Sequence, residues 1–355
     1  MNLYIKVNNV EISRNLKKYL DVNVEELEQK FKNKYFWEVE NEISPQYKAY
    51  INSLKQIRKL YWTWEKLFNN IKGFYIWNEQ CEFLMPTLQE FKEIISNLKK
   101  DFWSKKKFVL VTPYWWHKVI EKRIIEILDY IEENIKEFNT FQMEVVANSY
   151  WLIQLIKEKW YKKIRLIWGP LLTKHFKAPV FELYEGNALS IPWRLLHWKT
   201  EDEKKEIYKK ILDNNLKEFN KAVWHNEYFV KLLKKYKINR VSQYWLKEYK
   251  EIFKWINWLF LDIYYPFILT TTWRLCHTSM LEDDYKRWYY ATNKVCSRTC
   301  KKYNMLLNNF DDHLYKLHQM WNAIYKIYND LTLEWTIPAE TMSKNTNRLI
   351  YTPIL

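Results

Sequence analysis

Lys107-Phe108-Val109-Leu110-Val111 and Met143-Glu144-Val145-Val146-Ala147 are two short runs rich in β-branched and apolar residues, and between them Val119 to Phe138 repeats its apolar groups at helical spacing. A strand, a helix and a strand of these lengths make the unit in which two parallel strands are joined by a covering helix. The unit recurs on both sides. Gly73 to Ile76 reads as a strand followed by a helix at Leu88 to Lys99, and Trp151 to Lys159 reads as a helix followed by a strand at Ile164 to Ile167. Asn2 to Val7 reads as a first strand, and Glu11 to Phe68 as mainly helical. After an irregular stretch from Gly169 to Lys199, long enough for a lid or binding loop, helices are expected at Asp202 to Phe219 and Glu227 to Tyr236. Strands are expected at Asn239 to Gln243, Leu259 to Ile263 and Phe267 to Thr271.

About eight strands separated mostly by helices predict an α/β chain folded as a (β/α) barrel of the TIM type, complete or distorted, with an open doubly wound sheet as the alternative. The expected organisation is a strand and helical extension over 1–70, a barrel core with the cysteines over 71–305, and over 306–355 a helix at Leu314 to Tyr328 followed by an extended tail.

The chain has three glycines and 20 tryptophans in 355 residues, whereas an ordinary chain of this length carries about 7% glycine. Several tryptophans stand where glycine normally does. Trp160 lies between an amphipathic run and a strand-like one, where a helix ends on a left-handed residue, and Trp103 sits similarly. Trp77, Trp168 and Trp245 fall at strand ends, and Trp115 and Trp116 in a strand-to-helix turn. The reading is that many of these tryptophans are glycines encoded by UGA in an alternative genetic code. An aromatic-rich binder of carbohydrate or nucleic acid would instead carry tryptophans on exposed faces.

The formal net charge of +15 suits a polyanionic partner such as RNA, and equally a solvated surface, since the lysines spread over helix faces. The longest apolar candidate for a membrane span, Trp258 to Leu269, is broken by Asp262 and Pro266, so no membrane insertion is expected. No secretory leader is legible at Met1 to Asn15, so a cytoplasmic location is expected.

In a parallel barrel, residues just beyond the C-terminal ends of the strands face the functional mouth. That rule selects Asn78, Glu79 and Cys81, Thr112 and Tyr114, Asn148, Gly169 and Thr173, Gln243, and Arg274 and Cys276. Of these, Glu79, Asn148 and Arg274 are the candidates for contact with a substrate. The four cysteines are Cys81, Cys276, Cys296 and Cys300. In a reducing compartment they point to metal or redox chemistry more than to disulfides. Cys296 and Cys300 would share one side of a helical turn. A common site for all four, unrelated buried thiols and a catalytic cysteine all stay open; four thiolates suit an iron–sulfur cluster or zinc, and the single short-spaced pair favours iron–sulfur. His117 and Glu121 lack a metalloprotease motif, and no nucleophile elbow is present.

With glycine read at Trp77, Tyr75 to Pro86 resembles the "YxGxxxCxxLxP" segment of peptidase family U thirty-two, the collagenase-like peptidases. Val109 to Tyr114, Glu144 to Trp151 and Ile167 to Leu172 resemble its following strand ends in order, and Thr272 to Cys276 with Cys296 and Cys300 resembles its C-terminal cysteine region. The likeness runs from about Gly73 to Lys302. It is nearest to the small iron–sulfur subunit of the pair serving oxygen-independent ubiquinone hydroxylation. The resemblance implies a [4Fe–4S] cluster on Cys81, Cys276, Cys296 and Cys300, a second family subunit as partner, and hydroxylation of an RNA base or of an aromatic or quinone ring. The chain departs from the pattern in a long gap between Cys276 and Cys296, and in Ser149 where the family has aspartate. Two other functions compatible with these residues are a collagenase-like peptidase and a zinc-stabilised RNA-binding or scaffold protein.

Overall fold

The computed structural model describes residues 2–26, 44–61, 64–77, 79, 81–102, 106–114, 118–174, 199–200, 202–203, 206, 227–244, 258–272, 304–307, 315–320, 323–328 and 346–353. Eight parallel strands close into a barrel. In order around it they are β1 (Asn2–Val7), β2 (Ile71–Ile76), β3 (Lys107–Val111), β4 (Met143–Ala147), β5 (Ile164–Trp168), β6 (Arg240–Tyr244), β7 (Phe260–Tyr265) and β12 (Thr346–Tyr351), which pairs back onto β1. The fold is the TIM-type barrel that the strand–helix rhythm predicts.

Helices cover the barrel. Val10–Leu20 (α1), Ser44–Tyr61 (α2) and Trp64–Asn70 (α3) connect β1 to β2, and Leu88–Asp101 (α4), Lys118–Glu133 (α5) and Tyr150–Glu158 (α6) follow β2, β3 and β4. Pro170–Lys174 (α7) leaves β5, and Glu227–Lys235 (α8) leads into β6. Sequence sets where they start. Asn9 caps α1 by accepting from the Ile12 amide at 2.8 Å. Thr87 and Glu90 form a reciprocal capping box at the start of α4, satisfying two donors that a helix start would otherwise orphan. Phe91, Ile94, Ile95 and Leu98 make the buried face of α4, each worth about 1.5–3 kcal/mol of apolar burial.

Three expectations are corrected. The strand expected at Phe267 to Thr271 exists as β8 (Ile268–Thr272) but leaves the barrel, forming an antiparallel sheet of order β8-β11-β10-β9 with Asn304–Leu307 (β9), Tyr315–Met320 (β10) and Ala323–Tyr328 (β11). The helix expected at Leu314 to Tyr328 is this β10–β11 pair, with Met320 opposite Ala323. The eighth barrel strand is β12, from the segment expected to be an extended tail. Since β1 and β12 both close the barrel, residues outside 71–305 belong to it and are no appendage. Most of the helix expected at Asp202 to Phe219, together with Trp103, Trp115, Trp116 and Trp245, lies outside the described residues.

Candidate active site at the barrel mouth

The inside of this barrel is charged. On alternate positions of their strands, Tyr4, Tyr75, Glu144, Arg240, Asp262 and Arg348 form a girdle of two acids, two arginines and two phenols. Arg348 Nη2 lies 2.7 Å from Glu144 Oε2, and Arg240 Nη1 2.5 Å from Asp262 Oδ1. The Tyr75 hydroxyl donates to Asp262 Oδ2 at 2.6 Å, and the Arg348 guanidinium stands 4.6 Å from the centre of the Tyr4 ring. Burial raises the Asp262 carboxyl above its usual range, against the pull of Arg348 and Arg240. Burial also opposes the charge on Arg348, but Tyr75, Asp262 and Glu144 outweigh it and hold the guanidinium protonated. The acids and arginines of the girdle neutralise one another, so it makes a rigid polar floor.

Above the floor, toward the C-terminal ends of the strands, lies a second charged pair. Lys6 is the fifth residue of β1, and Glu79 lies three residues past the end of β2. Trp77 turns the chain between them. Its backbone has φ 80°, and its N–H donates to the Val7 carbonyl at 2.8 Å, which carries the chain leaving β2 across the end of β1. Lys6 Nζ then meets Glu79 Oε2 at 2.6 Å, with both side chains essentially sealed from solvent at 2% and 0% exposure. The Lys6 ammonium also stands 4.9 Å from the centre of the Tyr264 ring. Burial lowers the pKa of Lys6, and Glu79 pulls it partly back. Burial pushes the Tyr264 phenol well above its usual range, with the Glu79 charge adding to the effect. Among the described residues, Glu79 Oε1 has no hydrogen-bond partner.

Asn148 also sits at the mouth, but its amide is engaged in holding strands together. Nδ2 donates to the Thr112 carbonyl at 2.8 Å, and Oδ1 accepts from the Leu171 amide at 3.0 Å. It thus ties the ends of β3 and β4 to α7. Gly169 makes this clamp possible, because a Cβ there would lie 2.2 Å from Asn148 Oδ1 and 2.7 Å from the Ala147 carbonyl oxygen. Beside it the Ser149 hydroxyl is buried without a partner among the described residues.

Cys81 is half-buried, two residues beyond Glu79, at the start of the short 3₁₀ turn Glu82–Leu84. The mouth rule therefore brings Glu79, Cys81, Thr112 and Asn148 to one end of the barrel. Arg274, Cys276, Cys296 and Cys300 lie outside the described residues. Among the described residues no three His, Cys, Asp or Glu side chains gather as a metal site, and no helix is long and apolar enough to cross a membrane. Lys6 is the residue that sequence reasoning missed. Its signal is the alternation in β1, where Leu3, Ile5 and Val7 take one face and Tyr4 and Lys6 the other.

The class defined by fold and site is a parallel eight-stranded barrel with a charged interior and an ion pair at its C-terminal mouth. Comparison with family models, curated proteins and solved structures gives no match.

Proposed function

We propose that the chain is an iron–sulfur protein that works at the C-terminal mouth of its barrel, supporting oxygen-independent hydroxylation of an RNA base or of an aromatic or quinone ring. The observation that supports this reading is the position of Cys81. It lies on the same short segment as Glu79, at the end of the barrel where enzymes of this fold keep their chemistry. Cys81, Cys276, Cys296 and Cys300 would hold the cluster, and a half-buried thiol on a loop leaving β2 is a fitting ligand. A cluster held by four thiolates supplies one-electron transfer.

The chain's own residues supply the rest of the site. Lys6 fixes one oxygen of Glu79, leaving the other for a substrate group. Tyr264 and Tyr75, packed edge to face at 6.2 Å, exclude water beneath the pair. A second family subunit and RNA are the proposed partners, and the net charge of +15 favours RNA.

Anaerobic purification tests this reading. The expected product is brown, with about four iron and four sulfide per chain, and Cys81→Ala loses both colour and iron. Stoichiometric zinc in place of iron would favour the scaffold reading. Cleavage of gelatin that persists in Cys276→Ala would favour the peptidase.

A further inference from the structure

The buried pair at the mouth has an asymmetry that the cysteine chemistry leaves unused. Glu79 Oε2 is taken by Lys6 Nζ at 2.6 Å, while Glu79 Oε1, on a side chain with 0% exposure, accepts from nothing among the described residues. A carboxylate oxygen sealed from water is costly unless a hydrogen bond reaches it. The girdle below cannot provide that donor, because its arginines are committed to Glu144 and Asp262. Tyr75 OH likewise donates to Asp262.

We propose that Lys6 and Glu79 form a ligand-binding dyad in which Glu79 Oε1 accepts a hydrogen bond from an N–H or O–H group of a neutral ligand. The pair's charges decide the class. Any group that reaches Oε1 also comes close to the Lys6 ammonium, so a cationic donor is repelled by Lys6 and an anion is repelled by Glu79. A neutral donor meets neither penalty. A donor flanked by an acceptor suits the dyad best, because the acceptor can face the remaining N–H groups of Lys6. Lys6 is the positioning residue, since its 2.6 Å ion pair with Oε2 fixes the rotation of the carboxylate, and Glu79 makes the contact. The proposal rests on the mouth being the active site, but not on the identity of the centre held by the cysteines.

The test uses two probes that differ in one donor, 2-pyridone and its N-methyl derivative, in which a methyl group replaces the N–H hydrogen. Binding to the full chain is followed by ligand-observed NMR, with iron and sulfide assayed on the same preparation. The expected result is that 2-pyridone binds at least about tenfold more tightly than the N-methyl compound, the loss that follows from one hydrogen bond to a charged acceptor. Glu79→Ala leaves a buried lysine unpaired and can unfold the chain. The informative variant is therefore Lys6→Met with Glu79→Leu, which removes both charges at similar volume. With thermal unfolding still cooperative, it is expected to bind the two probes equally. Equal binding of the probes by the parent chain, no detectable binding of 2-pyridone, or an unchanged preference in the double variant would each overturn the proposal. Zinc in place of iron together with a retained 2-pyridone preference would sink the redox reading and leave the dyad standing.

Discussion

At the scale of single residues, the backbone comments directly on the tryptophan surplus. Among the described residues, four that are not glycine have positive φ, and two of them are tryptophans, Trp77 at 80° and Trp160 at 56°. Trp160 follows α6 in a Schellman turn. The Tyr161 amide donates to the Ile156 carbonyl and the Trp160 amide to the Lys157 carbonyl, both at 3.3 Å. The left-handed residue of that motif is normally glycine, since any Cβ is strained there by about 1–2 kcal/mol. The indole of Trp160 is 79% exposed, so little packing offsets the strain. Trp160→Gly is therefore expected to stabilise the chain by about 1 kcal/mol in urea unfolding. Lys237→Gly, at the matching position after α8, should do about the same. If UGA is read as glycine, a peptide spanning position 160 from the native organism has the glycine mass; a tryptophan mass there would end the recoding idea. Trp160 was legible because a helix stop needs a left-handed residue. Lys6 was not, because one lysine in a short strand reads as an exposed side chain until the barrel closes around it.

At the scale of elements, the strands that alternate with helices were legible almost to the residue. Lys107–Val111 and Met143–Ala147 have the bounds expected from their runs of valine flanked by polar turns. The second half was harder to read for a physical reason. Tyr315 to Tyr328 holds apolar residues that satisfy both a helical and an alternating period, and the run contains no glycine or proline to mark a turn that would decide between them. β12 was hidden because its apolar part, Leu349-Ile350-Tyr351, is short, and only pairing on both sides with β1 and β7 makes it a strand. Of the candidate site, the mouth positions on β2, β3 and β4 were legible by the strand-end rule. The role of Asn148 was not, since nothing in the sequence says that its amide spans three elements. That role predicts an outcome for Gly169→Ala. The new methyl would lie 2.2 Å from Asn148 Oδ1, so the clamp must break, at a cost of about 2–4 kcal/mol for displaced backbone and an unsatisfied buried amide. In the background of Asn148→Ala the same change should cost at least about 1 kcal/mol less, because part of the clash is gone. Additive losses in chemical denaturation would show that Gly169 acts independently of Asn148.

At the scale of the whole molecule, the barrel interior sets how the protein responds to alkali. A TIM-type interior is ordinarily filled by branched aliphatic side chains, but here phenols line much of it. Burial holds the hydroxyls of Tyr75 and Tyr264 inside the barrel, and that of Tyr351 between barrel and α2, well above their usual range, and pushes Tyr50, on α2 itself, up to about 12. In each case the folded state keeps a proton that the unfolded chain gives up near pH 10, so the stability from neutral phenols is complete below pH 10 and is lost as pH rises through the folded values. Each such tyrosine removes about 1.4 kcal/mol for every pH unit above 10. Lys6 acts in the opposite sense. Its lowered pKa means that the folded state binds fewer protons than the unfolded chain, so the cost of burying its charge is relieved as pH climbs toward 10.5. That gain is complete by 10.5, where the tyrosine loss is only beginning, and one lysine faces four phenols. The expected outcome is a rise in stability from Lys6 as pH approaches 10, then cooperative unfolding over the next one to two units as the phenols dominate. In an alkaline titration followed by tyrosinate absorbance and circular dichroism, exposed tyrosines should ionise gradually, and the buried set in one step that coincides with the loss of secondary structure. Gradual ionisation of every tyrosine with an unchanged dichroism spectrum would show that water reaches the barrel interior, and would remove the sealed floor on which the Lys6–Glu79 dyad depends.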